Sequence, residues 1–213
     1  MTTNYKEKQA QMTDLNWDGN VHVSEEELHA PTKASSNALQ DWSKNHSLVP
    51  ASDSILYRPV DKFDFKNPPV DPMALALDLL GHLRHYKGLG LSANQLGLPY
   101  RVFAMEGDPA FVCFNPVITA TGDNVVLMDE GCLTYPGLYM KVKRPAAIRV
   151  RFQDPNGDFV TKKFSGMTAR VFQHEYDHME GILYVQRVTR LVLDRARKQQ
   201  DKLIKRMGKS NVK

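Results

Sequence analysis

Residues 171–184 read VFQHEYDHMEGILY, with His174 and His178 four apart and Glu175 directly after the first. On a helix, positions i and i+4 leave the same face, so both imidazoles can reach one divalent cation. Glu175 then points toward the open side of that cation, where a carboxylate can take a proton from bound water. The spacing predicts a helix from about 165 to 179 that carries the chemistry of the chain. The competing reading is a solvated helix with two coincidental histidines, because a bare HExxH pattern also arises by chance.

A catalytic centre of this type takes three protein ligands and leaves the fourth place for water. Downstream of His178 there is no histidine, and the carboxylates are Glu180, Asp194 and Asp201. Glu180 is too near the pair, and the two aspartates lie in a basic tail, so the third ligand is expected upstream. Cys132, in DEGCLTYPG (129–137), is the best candidate: it precedes a Pro-Gly turn, at a strand edge or loop from which a thiolate can face a helix packed alongside. A free cysteine is more often a small buried hydrophobe. That alternative suits Cys113, in the apolar run AFVCFNPV (110–117), much better. His22, His29 and His46 lie in or beside a polar stretch, and His82 and His85 fall on a helix where surface or packing roles suit them.

The bulk properties are those of one compact domain: 213 residues, 42% hydrophobic and 24% charged. No apolar run approaches a membrane span and no signal peptide pattern opens the chain, so a cytoplasmic location is expected. Two cysteines suit a reducing compartment rather than a disulfide framework. Charge is uneven. Residues 187–213 hold ten Lys/Arg against two Asp/Glu, a net +8, which leaves −4 for the rest of a chain that totals +4. Residues 1–45 are polar and aperiodic, with seven Asp/Glu against four Lys/Arg, and read as a disordered or loosely docked extension.

Texture changes at about residue 46. PPVDPMALALDLLGHLRHYKG (68–88) predicts a helix of roughly four turns, with Asp71 as N-cap and Gly88 as stop. GLGLSANQLGLPYRVFAM (88–105) passes from a glycine-rich loop into a strand at 100–105. Further strands are expected at 111–119, 123–128, 138–143, 146–153 and 158–164, the last pair joined across the turn QDPNGD (153–158). A basic amphipathic helix is expected over 189–207. Strands grouped between helices indicate an α+β fold, with antiparallel strands packed around a central HExxH helix and a C-terminal helix after it.

Three segments now stand in order: GLGLSANQ (88–95), EGCLT (130–134) and HEYDH (174–178). In this the chain resembles the peptide deformylases, whose signatures are a GxGxAAxQ-type loop, EGCLS and HExDH. The resemblance covers roughly 48–200 and includes SDSILYRPV (52–60), similar to the segment that opens the family's domain. Ser92 stands where the family usually has alanine, and Thr134 where it usually has serine.

The resemblance implies a metallohydrolase that removes the formyl group from the N-terminal formylmethionine of nascent polypeptides. It implies Cys132, His174 and His178 as ligands of one divalent ion, Fe2+ in the cell with Zn2+ or Ni2+ as substitutes. Glu175 is then the general base and acid, and the Gln95 amide and the Leu133 N–H are oxyanion donors. Substrate would lie against Gly88, Leu89, Gly90, Met128, Glu130, Met167, Arg170 and Val171. Arg170 is a less usual choice at its position and suggests a more polar pocket rim. Glu130 is expected to pair with Arg144 behind the ligand loop, and Asp177 to support a neighbouring group. A broad metallopeptidase would share the helix but need neither the Gln95 loop nor a cysteine ligand. A binding protein without turnover would have no reason to keep every reacting residue. The +8 tail suggests RNA, and so ribosome contact through the C-terminal helix, with a solvated helix face as the alternative; no DNA or membrane partner is expected.

Overall fold

The computed structural model describes the backbone of residues 46–210 and the side chains of residues 46–205. The extension expected over 1–45 lies outside the described residues. Three α-helices and seven strands, with short 3-10 helices at Ser54–Tyr57, Ala93–Leu96 and Tyr184–Arg187, make up the described part: α1 (Pro72–Tyr86), β1 (Gly90–Ser92), β2 (Val102–Met105), β3 (Phe111–Thr121), β4 (Val125–Cys132), β5 (Tyr135–Pro145), β6 (Ala147–Gln153), β7 (Phe159–Ser165), α2 (Gly166–Met179) and α3 (Arg190–Ser210). Strands β1-β2-β3-β6-β7 form one antiparallel sheet in that order, and β4 and β5 pair as a separate hairpin.

Asp71 caps α1 as its sequence requires, accepting from the Met73 N–H at 3.1 Å, with Pro72 in the first turn where its missing N–H costs nothing. The stop differs from expectation. Lys87, not Gly88, takes the left-handed conformation (φ 54°) and ends the helix. Gly88 is required for a different reason: a Cβ there would lie 3.0 Å from both the Gly90 carbonyl oxygen and Leu133 Cδ1.

Part of the expected glycine-rich loop is strand. Gly90–Ser92 pairs with Met105–Phe103, a three-residue ladder too short to show alternation in the sequence. The hairpin also runs further than its pattern suggested. Its ladder continues to the pair Cys132–Tyr135, past a register shift between Glu130 and Cys132, so Cys132 is the last residue of β4 and not part of a loop.

Helix α2 lies across the sheet through Ala169, Phe172 and Met179, which pack with Phe103, Val150, Phe152 and Phe164. The Phe103 and Phe172 rings meet edge to face at 5.1 Å. On the other flank Leu75, Leu79 and Leu83 of α1 bury against Leu91, Val102 and Phe114. Cys113 is wholly buried in the sheet core, where burial pushes its thiol well above the usual value. Helix α3 rests on β5, with Leu193 and Ala196 against Leu138, Met140 and Val142. No described helix is long and apolar enough to cross a membrane.

Candidate active site

Helix α2 sets His174 and His178 one turn apart, their rings 5.2 Å between centroids. Strand β4 ends beside them, and Cys132 Sγ lies 3.3 Å from His178 Nε2. Among the described residues these three form the grouping of His, Cys and acidic side chains able to hold a metal, with ligand atoms all within 4.8 Å of one another. Burial disfavours a charged sulfur, yet the His178 and His174 rings outweigh it and hold the Cys132 thiol well below its usual value. The thiolate is the form of cysteine that binds metal. A thiolate and two imidazoles so spaced fit a divalent transition-metal ion.

Behind these three residues lies a buried ionic frame. Glu130 Oε2 faces His174 Nδ1 at 3.1 Å, which leaves Nε2 as the ring nitrogen available to a cation. The same carboxylate accepts from Arg144 Nε (2.6 Å) and Nη2 (3.0 Å), the pairing the sequence suggested, and from Arg170 Nη1 (2.7 Å). Burial alone would raise its pKa; the bonds from His174 and Arg144 drive it well below the ordinary carboxylate range instead. Asp177 accepts from Arg144 Nη1 (2.7 Å) and Arg187 Nε (3.0 Å), tying the far end of α2 into the frame. The Tyr184 ring packs 5.5 Å from that of His174, and its hydroxyl donates to the Leu138 carbonyl at 2.9 Å.

Glu175 is buried, and burial raises its pKa against the pull of His174 and His178. Its Oε2 accepts from Ser92 Oγ at 2.7 Å. Gly90 leaves the space this carboxylate occupies, since a Cβ there would come within 2.7 Å of Glu175 Cδ. The glycine-rich segment thus makes room for the Glu175 carboxylate directly. Gln95 Oε1 accepts from the Ser92 N–H (2.9 Å), which turns its Nε2 toward Thr134 Oγ1 (3.0 Å) and Cys132 Sγ (3.4 Å). Ser92 and Thr134, the two departures from the family pattern, are therefore the hydroxyls that touch Glu175 and Gln95.

A cavity of about 380 Å³ opens over this cluster. Gly88, Leu89, Gly90, Gln95 and Leu133 line it from the loop and hairpin turn, and Glu130 and Cys132 from β4. Helix α2 contributes Met167, Arg170, Val171, His174 and Glu175. Two expected residues stand apart from the lining. His178 is buried and outside the lining, and Met128 is half-buried on β4 opposite Val142. Arg170 is only 3% exposed and its guanidinium bonds to Glu130 and strand carbonyls, so it does not form a polar rim. Sequence reasoning missed Tyr135 and Tyr139, which line the cavity from β5; the aromatic spacing in TYPGLY directly after the ligand segment was the available signal.

The polypeptide deformylase family profile matches residues 46–193. The chain belongs to that family. The peptide deformylase of Thermotoga neapolitana is 34% identical over 133 residues, 62% of this chain and 77% of the relative. Arabidopsis thaliana peptide deformylase 1B, chloroplastic/mitochondrial, is 42% identical over 125 residues, 56% of this chain and 46% of that protein. Among solved structures, the Synechococcus elongatus peptide deformylase in complex with actinonin superposes with a TM-score of 0.67 at 30% identity, covering 73% of this chain and 86% of the other. The peptide deformylase of Thermus thermophilus gives 0.67 at 33% identity, covering 78% and 98%. The chain is accordingly a metal-dependent hydrolase that removes the N-terminal formyl group of nascent polypeptides. Its α+β architecture around the HExxH helix is the deformylase fold.

Proposed function

We propose that Cys132, His174 and His178 jointly hold the catalytic ion of this deformylase, with Glu175 as its proton-transfer group. The observation that supports this most is the convergence of one sulfur and two ring nitrogens, 42 and 46 positions apart in sequence, within 4.8 Å. A cation held there supplies a nucleophilic water at neutral pH and polarises the formyl oxygen. Glu175 accepts the proton on its carboxylate and returns it to the departing amine. Ser92 fixes one oxygen of that carboxylate, leaving the other for the transfer. Gln95 Nε2, held in place through its own Oε1, and the Leu133 N–H are the donors for the developing oxyanion. Leu89, Met167 and Val171 give the cavity an apolar wall for the methionine side chain, beside Gly88, Gly90 and Glu130. By donor type the site suits Fe2+, Zn2+ or Ni2+, and the family resemblance favours Fe2+ in the cell. A reducing cytoplasm, which keeps the Cys132 thiol free, is the location that suits this chemistry. The test is release of formate from formyl-Met and of acetate from acetyl-Met peptides. Turnover confined to the formyl substrate and abolished by chelation supports the reading; equal cleavage of both, or cleavage within the peptide chain, rejects it.

The basic face of α3 is the proposed contact with ribosomal RNA, through exposed Arg195, Arg197, Lys198 and Lys202. Deleting the helix would uncover Leu138 and Met140, so charge reversal is the cleaner probe. R195E/K198E/K202E is expected to abolish salt-sensitive co-sedimentation with ribosomes while leaving formate release from a short peptide unchanged. Co-sedimentation equal to that of the unaltered chain would reject the contact.

A further inference from the structure

Cys132 reaches the two histidines from the β4–β5 hairpin, which shares no ladder with the five-stranded sheet. The place of the sulfur relative to α2 therefore depends on what fastens that hairpin to the helix. Arg170, one turn before His174 and 3% exposed, does so at three points. Its Nη1 donates to Glu130 Oε1 (2.7 Å) and to the Val142 carbonyl (2.9 Å), and its Nη2 donates to the Val126 carbonyl (2.9 Å). Val126 and Glu130 belong to β4 and Val142 to β5, so one guanidinium grips both strands.

We propose that Arg170 is a positioning residue for the metal centre, fixing the Cys132 hairpin at the distance from His174 and His178 that joint ligation requires. The inference rests on the ligand set proposed above. A guanidinium survives burial only when a counter-charge and enough acceptors surround it, and the hairpin supplies both. Its planar fork sets direction as well as distance, which a lysine ammonium cannot do. Glu130 closes the device: Oε1 receives Arg170 while Oε2 meets His174 Nδ1, and Cys132 lies two residues further along the strand. Sliding of the hairpin along α2 would break both contacts at once. Arg144 does not duplicate this role. It sits on β5 and reaches α2 at Asp177 and the Gln173 carbonyl, so the hairpin is pinned at points up to two turns apart, about 10 Å, and cannot pivot about either.

The experiment titrates Co2+ into the full chain after chelator treatment, reading affinity and the near-ultraviolet thiolate-to-cobalt charge-transfer band. R170L is expected to bind Co2+ roughly 10–100-fold more weakly, with the thiolate band reduced relative to the visible bands that report the histidine-held ion. R170K, which keeps a charge for Glu130 but cannot span both carbonyls, is expected between R170L and the unaltered chain. Unaltered affinity and an unaltered thiolate band in R170K and in any folded R170L would overturn the proposal. A parent chain with no thiolate band would instead overturn the assignment of Cys132 as ligand, and the proposal with it.

Discussion

Replacing Glu175 with glutamine is expected to lower kcat on a formyl-Met peptide by about 10²–10⁴-fold, the usual contribution of a positioned proton-transfer group. The substitution keeps the volume of a side chain buried beneath Gly90, and its amide oxygen can still accept from Ser92 Oγ. What it removes is the capacity to take up a proton. Cys132, His174 and His178 are untouched, so metal content should equal that of the unaltered chain, as should KM if the formyl-Met side chain is held by the apolar wall. Initial rates measured alongside elemental analysis check this. Turnover within a few-fold of the parent at full metal occupancy would exclude Glu175 as the base. Loss of metal together with activity would show instead that the carboxylate supports the ligands.

The chemistry of α2 was legible because it is local. Five consecutive residues carry two histidines on one face with a carboxylate beside them, and helical periodicity fixes that face without tertiary information. Cys132 stood out for a different reason: no suitable donor lies downstream of His178, which turned attention upstream. The strand pattern was clear where one face is buried and the other wet, as along β6 and along β5 from Gly137 onward, whose residues alternate. It failed at β1, whose three residues are strand only because β2 lies beside them. Lys87 and Gly88 show a related limit. The glycine looked like a helix stop, but the close approach of Gly90 and Leu133 is what demands it, and both arrive from later segments. Arg170 is the sharpest case. A charged residue on a cavity-lining helix face suggests a polar rim, but Glu130 and the carbonyls of Val126 and Val142, 40, 44 and 28 positions away, turn it inward. Met128 stands outside the lining although the next four residues of β4 are in it, a boundary set by what packs over the hairpin and not by any local pattern.

Replacing Cys132 with alanine is expected to weaken metal binding by roughly 10²–10³-fold and to abolish turnover at stoichiometric metal. A four-ligand site gains about 10–16 kcal/mol from its ion, so one ligand accounts for about 3 kcal/mol, or some two orders of magnitude in affinity. The protein frame should not follow the metal out. Glu130, Arg144, Arg170 and Asp177 keep all of their mutual bonds, and Cys132 itself only edges the cluster formed by Leu138, Met140, Val142 and Tyr184. The melting temperatures of the metal-free parent and metal-free C132A should thus lie within a few degrees, while the rise that added metal gives the parent is lost in the variant. C113A is the matching control. That thiol is wholly buried in the sheet core and held protonated, so its removal should cost about 1 kcal/mol of stability through a small void and leave both metal affinity and formate release intact. If C132A retained its ion and its rate while C113A lost them, the sulfur facing His178 Nε2 would be a packing atom and not a ligand.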